Sequence, residues 1–228
     1  MSERLTTAEI LSRRWEGLPP EIILAEASET FAPGRLAISS AFGPASLVLM
    51  HLAAESGLRL PVLFVDTLHH FPETLEHVQR VRDRYDLDLR VFSPAVTRAE
   101  FEAQYGERLW ERDIDLYQRV SKVEPFRRAT ADFDAWFTGR QREQSATRAD
   151  LPLVDGTDKF RINPLADWTR GQVWHYILDR GIPYNPLHDR GYTSIGDEPL
   201  TTPAGADEDE RAGRWRGNDI TECGIHFV

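Results

Sequence analysis

Cysteine occurs once in these 228 residues, at Cys223. A lone thiol excludes an internal disulfide, and with no export or transit signal recognisable at the N-terminus it points to a reducing cytoplasm. Long apolar runs are lacking too: nothing approaches the roughly 20 residues of a membrane-spanning helix, so no membrane is expected. Positive charge is short as well, with 27 Lys and Arg against 37 Asp and Glu and a formal charge of −10. That balance argues against broad nucleic-acid binding, which calls for a basic surface. Any anion must be held by a local pocket of arginines and backbone amides. What is present is ordinary for a globular chain, 41% hydrophobic and 28% charged. The length fits one large α/β domain with an appended tail.

Residues 1 to 30 read as helical, with Thr6 or Thr7 as a cap and Pro19-Pro20 as a break. Arg35 to Ser39 is a short apolar strand, followed by the small-residue loop Ser40-Ala41-Phe42-Gly43-Pro44-Ala45-Ser46 and a helical run from Leu47 to Glu55. Strand, loop, helix is the order in which backbone amides and the positive end of a helix face an anion, and it is also an ordinary βα turn. Leu60 to Val65 is a second strand, apolar throughout as a buried parallel strand should be. It ends in Asp66-Thr67-Leu68-His69-His70, where Pro72 suits a first helical position. Leu87 to Phe92 gives a third strand. Successive β-α-β units predict right-handed crossovers and a ligand beyond the C-terminal strand ends, where both loops lie. The paired histidines read as a solvated cap rather than a metal site, because no third ligand stands at suitable spacing.

Residues 97 to 120 read as helical and charge-rich, and the basic cluster Lys122, Arg127 and Arg128 enters the next helix. Trp136-Phe137 is a short apolar stretch fit for a fourth strand, with Arg140 and Arg142 just past it, where the type and place of the arginines suit an anion. Pro152 to Val154 and Phe160 to Ile162 read as a hairpin around Asp155-Gly156-Thr157-Asp158, and Pro164 onward leads to a helix capped at Gly181. From about residue 190 periodicity disappears. The expected division is therefore a nucleotide-binding α/β domain over residues 1–190 and a loop-rich, mobile arm over residues 191–228. That arm carries Cys223 with His226 three residues on, a candidate nucleophile beside a candidate cation; a leftover thiol on a frayed tail is the plain alternative.

Three stretches together resemble one family: Ser39-Ser40-Ala41-Phe42-Gly43, Val65 to Thr74 and Thr221-Glu222-Cys223-Gly224-Ile225-His226 are similar to the thioredoxin-dependent phosphoadenylyl-sulfate (PAPS) reductases, especially the fungal type. Lys122-Val123-Glu124-Pro125, Gly139 to Ser145 and Asp209 to Trp215 match as well. The resemblance implies a doubly wound, mostly parallel α/β sheet of the adenine nucleotide α-hydrolase type, a homodimer, and reduction of PAPS to sulfite for cysteine synthesis. It implies that Cys223 attacks the sulfate sulfur and becomes S-sulfocysteine, from which thioredoxin or glutaredoxin releases sulfite. Lys122, Arg211, Arg214 and His226 match residues around the reacting sulfate. Ser39, Ser40 and Gly43 match the phosphate loop, Asp66 and Thr67 the adenosine-binding strand end. Gln141 stands where the family's first arginine is expected, so only Arg142 carries over from that motif. The physics agrees: thiolate attack on an anionic sulfate needs cations to neutralise developing charge, and a mobile arm lets one sulfur serve both the nucleotide and the thioredoxin.

Relatives that use adenylyl sulfate (APS) typically hold an iron–sulfur cluster on two cysteine pairs. Tyr117 and Gln118, then Asp197 and Leu200, stand at those positions here. One cysteine cannot build a cluster, so no cofactor is expected beyond reduced thioredoxin as co-substrate, and PAPS is favoured. A cluster-free APS reductase stays open. So does an ATP-pyrophosphatase ligase or thiolase of the same fold, although Ser46 replaces the aspartate such enzymes use to manage magnesium. A nucleotide-binding redox sensor without turnover is the third class.

Overall fold

In the computed structural model the described residues are 5–205, 208–215 and 224–227, the side chains of residues 226 and 227 excepted. Two helices open the chain. α1 (Thr7–Trp15) starts at a reciprocal cap between Thr6 and Glu9, and α2 (Pro20–Thr30) starts on its proline. β1 (Leu36–Ser39), α3 (Pro44–Glu55), β2 (Val62–Val65), α4 (Pro72–Tyr85) and β3 (Leu89–Phe92) then form the two successive β-α-β units. The stretch expected to be helical over residues 97 to 120 forms three helices, α5 (Arg98–Tyr105), α6 (Leu109–Arg112) and α7 (Ile114–Gln118), with breaks at Gly106 and at Asp113. A π-helical turn, Arg119–Val123, runs on into α8 (Glu124–Ala129). β4 (Ala135–Phe137), β5 (Val154–Asp155), β6 (Phe160–Ile162) and α9 (Arg170–Asp179) complete the regular elements.

The strand order is β3-β2-β1-β4-β6-β5, parallel throughout except where β5 runs back along β6. The chain winds outward from β1 to β3 and returns to the other side of β1 at β4. This reversal opens a crevice beyond the carboxyl ends of β1 and β4, the place where open α/β sheets bind ligands.

Alternation along the central strands feeds two cores. Leu36, Ile38, Val62, Phe64 and Phe137 pack on the face covered by α1 to α4 and α9. Ala37, Leu63 and Trp136 point the other way, onto Phe126, Ala129 and Phe133 of and after α8. Burial on both faces explains why β1 and β2 are apolar without a polar period. The outer strand β5 is pinned by Ser12 of α1, whose hydroxyl donates to the Val154 carbonyl (3.1 Å) and accepts from the Val154 amide (2.9 Å).

Gly191 to Trp215, in its described part, has no regular element longer than the 3-10 turn Glu198–Leu200. It crosses the carboxyl edge of the sheet, bridging to His70 at Asp197 and back on itself between Thr201 and Arg214. Among the described residues, no helix is long and apolar enough to cross a membrane.

Candidate active site

The crevice is built from four backbone segments. The first follows β1. Ser40 is buried, and its hydroxyl accepts from the Phe42 amide at 2.8 Å, which turns the chain sharply enough to put Phe42 at a φ of 58°. Phe42 then drops under the loop, edge-on to Phe64. The loop so formed, with Ser39, Ser40 and Gly43, lines the crevice, and the first turn of α3 beside it contains no acidic residue. The loop after β4 lies directly alongside. A β-carbon on Gly139 would come within 2.8 Å of the Ser46 amide nitrogen, so only glycine permits this approach.

The second segment follows β2. Thr67 lines the crevice and donates to Asp197 Oδ1 at 2.7 Å. Asp66 does not line it: its carboxylate accepts from the Leu68 amide (2.9 Å) and shapes the turn. The paired histidines depart from the expected solvated cap. His69 is 1% exposed and sits edge-on among Phe101, Trp110 and Tyr117. Burial holds its pKa below the usual histidine value. His70 stacks on Phe64 and forms part of the crevice wall. The covering aromatics come from α5 to α7, far along the chain, which a local reading of a βα loop does not see.

The π turn supplies the third wall. Lys122, 6% exposed, faces the crevice with its Nζ 2.5 Å from Asp197 Oδ2. Burial on its own raises the Asp197 carboxyl, but Lys122, His70 and the hydrogen bonds from Lys122 and Thr67 outweigh it, leaving the group well below the usual carboxylate range. At the other end of the same turn the Gln118 side chain accepts from the Gly224 amide at 2.8 Å. Ile225 packs toward the core under α8 and touches the crevice. Gly224 lies so close to Val123 that a β-carbon would stand 2.9 Å from it. Cys223 itself lies outside the described residues, as does the side chain of His226.

The fourth wall is cationic. Arg211 and Arg214 line the crevice and flank the buried Trp215 ring at 5.2 and 4.5 Å from its centre. Arg140, Arg148 and Arg161 line the crevice as well. Arg140 and Arg161 converge on Asp155, and Arg140 also reaches Thr138 and Asn163. Arg142 is placed elsewhere. Its guanidinium donates to the Leu151 carbonyl (2.9 Å) and pairs with Asp167, beside a separate hollow under α1. Arg140, two residues earlier and paired with Asp155 rather than Asp167, lines the crevice instead. Glu210 also lines it, and burial raises its pKa against the pull of Arg170, Arg211 and Arg148. Sequence reasoning misses four crevice-lining residues, Arg148, Arg161, Asp197 and Glu210. Arg148 ends a 3-10 turn and Arg161 sits in the middle of β6, so neither stands at a strand end where the pattern would look for a cation; Glu210 falls within the matched stretch Asp209 to Trp215 without a role attached, and Asp197 has no local cue.

A crevice at the sheet reversal, with a helix-capping loop on one side and arginines on the other, suits a nucleotide carrying several anionic groups. Residues 35–203 match the family model described as the phosphoadenosine phosphosulfate reductase domain. The chain belongs to this family. It is 46% identical over 227 residues to a phosphoadenosine 5'-phosphosulfate reductase of Gloeobacter violaceus, covering 97% of this chain and 94% of that protein. It is 41% identical over 196 residues to an adenosine 5'-phosphosulfate reductase of Halalkalibacterium halodurans, covering 84% and 85%. The crystal structure of a PAPS reductase from Candida auris in a phosphate complex superposes with a TM-score of 0.78 at 34% identity, covering 89% of this chain and all of that one.

Membership makes the chain one of the sulfonucleotide reductases, oxidoreductases of sulfate assimilation. The positions read as equivalent to cluster cysteines do not fit a cluster. Tyr117 is packed among aromatics, Gln118 holds Gly224, Asp197 holds Lys122, and Leu200 lies in an apolar cluster. None offers a thiolate. Among the described residues, no group of three or more His, Cys, Asp or Glu side chains could hold a metal ion.

Proposed function

We propose that this chain reduces PAPS to sulfite and adenosine 3',5'-bisphosphate, with reduced thioredoxin as electron donor and Cys223 as nucleophile. The supporting observation is the meeting, at one crevice mouth, of the Ser39–Gly43 loop, Lys122, Arg211 and Arg214, and the Gly224–Ile225 end of the tail.

In the first half-reaction the Cys223 thiolate attacks the sulfate sulfur. An S–S bond forms, the S–O bond to the phosphate breaks, and the bisphosphate leaves with the electron pair. Lys122, Arg211, Arg214 and His226 offset charge on the sulfate and on the leaving oxygen, and Arg140 takes the anion-holding place first expected for Arg142. One well-placed donor of this kind supplies ~3 kcal/mol. In the second half-reaction a thioredoxin thiolate attacks Cys223 Sγ and expels sulfite. The second thioredoxin thiol resolves the mixed disulfide, returning the Cys223 thiol and oxidised thioredoxin. Two electrons pass from the dithiol to sulfur. We further read the arm from residue 191 as moving between these steps, the protein as a cytoplasmic homodimer, and its chemistry as free of any cluster. Asp66 then serves the adenosine site through its turn, with the buried Thr67 lining the crevice.

A second substrate has support of its own, since relatives about 40% identical are named adenosine 5'-phosphosulfate reductases. Sulfite release from PAPS and from APS, with reduced thioredoxin, separates the two for the parent and for Cys223→Ser. The expected result is faster release from PAPS, abolished in the variant, with a sulfonate mass increment on Cys223 when thioredoxin is withheld. Equal rates for parent and variant would rule out the mechanism.

A further inference from the structure

We propose that Asp197 is a positioning residue for sulfate transfer: it fixes the Lys122 ammonium at the crevice mouth and acts on the reaction only through that lysine. The proposal rests on the reductase reading above.

Asp197 is 1% exposed and immobilised from every side. Its Oδ2 meets Lys122 Nζ at 2.5 Å and its Oδ1 accepts from Thr67 Oγ1 at 2.7 Å. Its backbone bridges to His70, its carbonyl accepts from Thr201 Oγ1 (2.7 Å), and the next amide, of Glu198, donates to the His69 carbonyl (2.8 Å). The carboxylate thus joins the loop after β2, the π turn and the stretch after α9 at one point.

Lys122 has the opposite character: a point charge on a flexible four-carbon stem, with three N–H bonds to direct. Among the described residues Asp197 is its only carboxylate partner, while the Tyr117 ring centre lies 5.8 Å from Nζ. The ammonium is held beside Asp197 as an ion pair, and its N–H bonds can turn to the crevice that both residues line. A buried ion pair does not repay its desolvation well enough to be explained by stability alone. It does fix where a cation sits, and a cation aimed in advance is what a developing negative charge needs.

The test is a double-mutant cycle on sulfite release, with binding of adenosine 3',5'-bisphosphate, which has no sulfate, measured beside it. Asp197→Asn keeps the shape and an acceptor for Thr67 but removes the charge. Expected is a ~10- to 100-fold fall in kcat/KM with bisphosphate affinity unchanged within about twofold, the pattern of an interaction made at the reacting group. Combined with Lys122→Met, Asp197→Asn should cost nothing further, because its only route to the reaction is gone. If Asp197→Asn does not fold, Asp197→Ser enters the same cycle. A variant as active as the parent, losses that multiply in the double variant, or a parallel fall in bisphosphate affinity each overturn the proposal. A parent chain that releases no sulfite from either nucleotide overturns the reductase reading, and this inference with it.

Discussion

Replacing Gly139 by alanine is expected to damage the crevice without touching any group that does chemistry. The added carbon would lie 2.8 Å from both the amide nitrogen and the hydroxyl of Ser46, and 3.1 Å from the Ala45 carbonyl carbon, where ordinary contact begins at 3.4 Å. Most of the obstruction is backbone, so rotating a side chain does not relieve it. α3 cannot retreat, because Val48, Leu49 and Met50 are sealed in the main core. The loop after β4 must move instead, carrying Arg140 away from Thr138, Asn163 and Asp155. Overpacking of this kind costs about 1–3 kcal/mol. For a chain of this length each kcal/mol lowers Tm by ~2–4 °C. Gly43→Ala is the matched control: Gly43 lines the same crevice, its φ is −74°, and an added carbon there meets nothing within 4 Å. Calorimetry gives the stability of both variants, and titration with adenosine 3',5'-bisphosphate gives the affinity. Gly139→Ala should be the less stable and bind ~10-fold more weakly than the parent, a loss of about 1.4 kcal/mol. A Gly139→Ala protein no less stable than the control, with undiminished affinity, would refute the close-packing explanation.

Other outcomes follow from the same contacts. Gly224→Ala drives a carbon to 2.9 Å from Val123 and should slow formation of S-sulfocysteine while sparing bisphosphate affinity; a normal burst of nucleotide release would contradict the Gln118 attachment. Arg140→Ala should weaken bisphosphate binding by at least tenfold, whereas Arg142→Ala, whose partners are Asp167 and the Leu151 carbonyl, should leave it within about twofold. Ser12→Ala removes both bonds to Val154 and should cost about 1–2 kcal/mol in urea unfolding with kcat unaltered. His77 is fully buried, and burial lowers its pKa from 6.5 to about 4. Below pH 6.5 the unfolded chain takes up a proton there that the folded chain refuses, so stability falls with pH until about 4. Between pH 7 and 4.5 the parent should lose about 2–3 kcal/mol more than His77→Leu; parallel losses would show that His77 is not the group responsible.

The main strands and the βα loops are legible because they depend on neighbours in sequence. Ile38 and Ala37 enter opposite cores, yet both are apolar, and the run ends where Ser39 meets the crevice. The helical character of residues 97 to 120 is legible from its apolar anchors, but the breaks at Gly106 and Asp113 are less so. What escapes local reading is the pairing of charges across distance. Arg140 and Arg142 carry the same group, and only Asp155 on β5 and Asp167 before α9 reveal which one the crevice receives. Asp197 lies in a stretch without period, and its meaning appears only when Lys122 arrives from the π turn. The reason is energetic: apolar burial accepts any partner of suitable size, so pattern suffices, whereas a buried charge must meet a specific counter-charge in a specific geometry. The polar groups of this crevice are therefore fixed by pairs rather than by segments. Substitutions at Asp155 or Asp197 should alter the chemistry of Arg140 or Lys122 more than those cations' own sequence neighbours do.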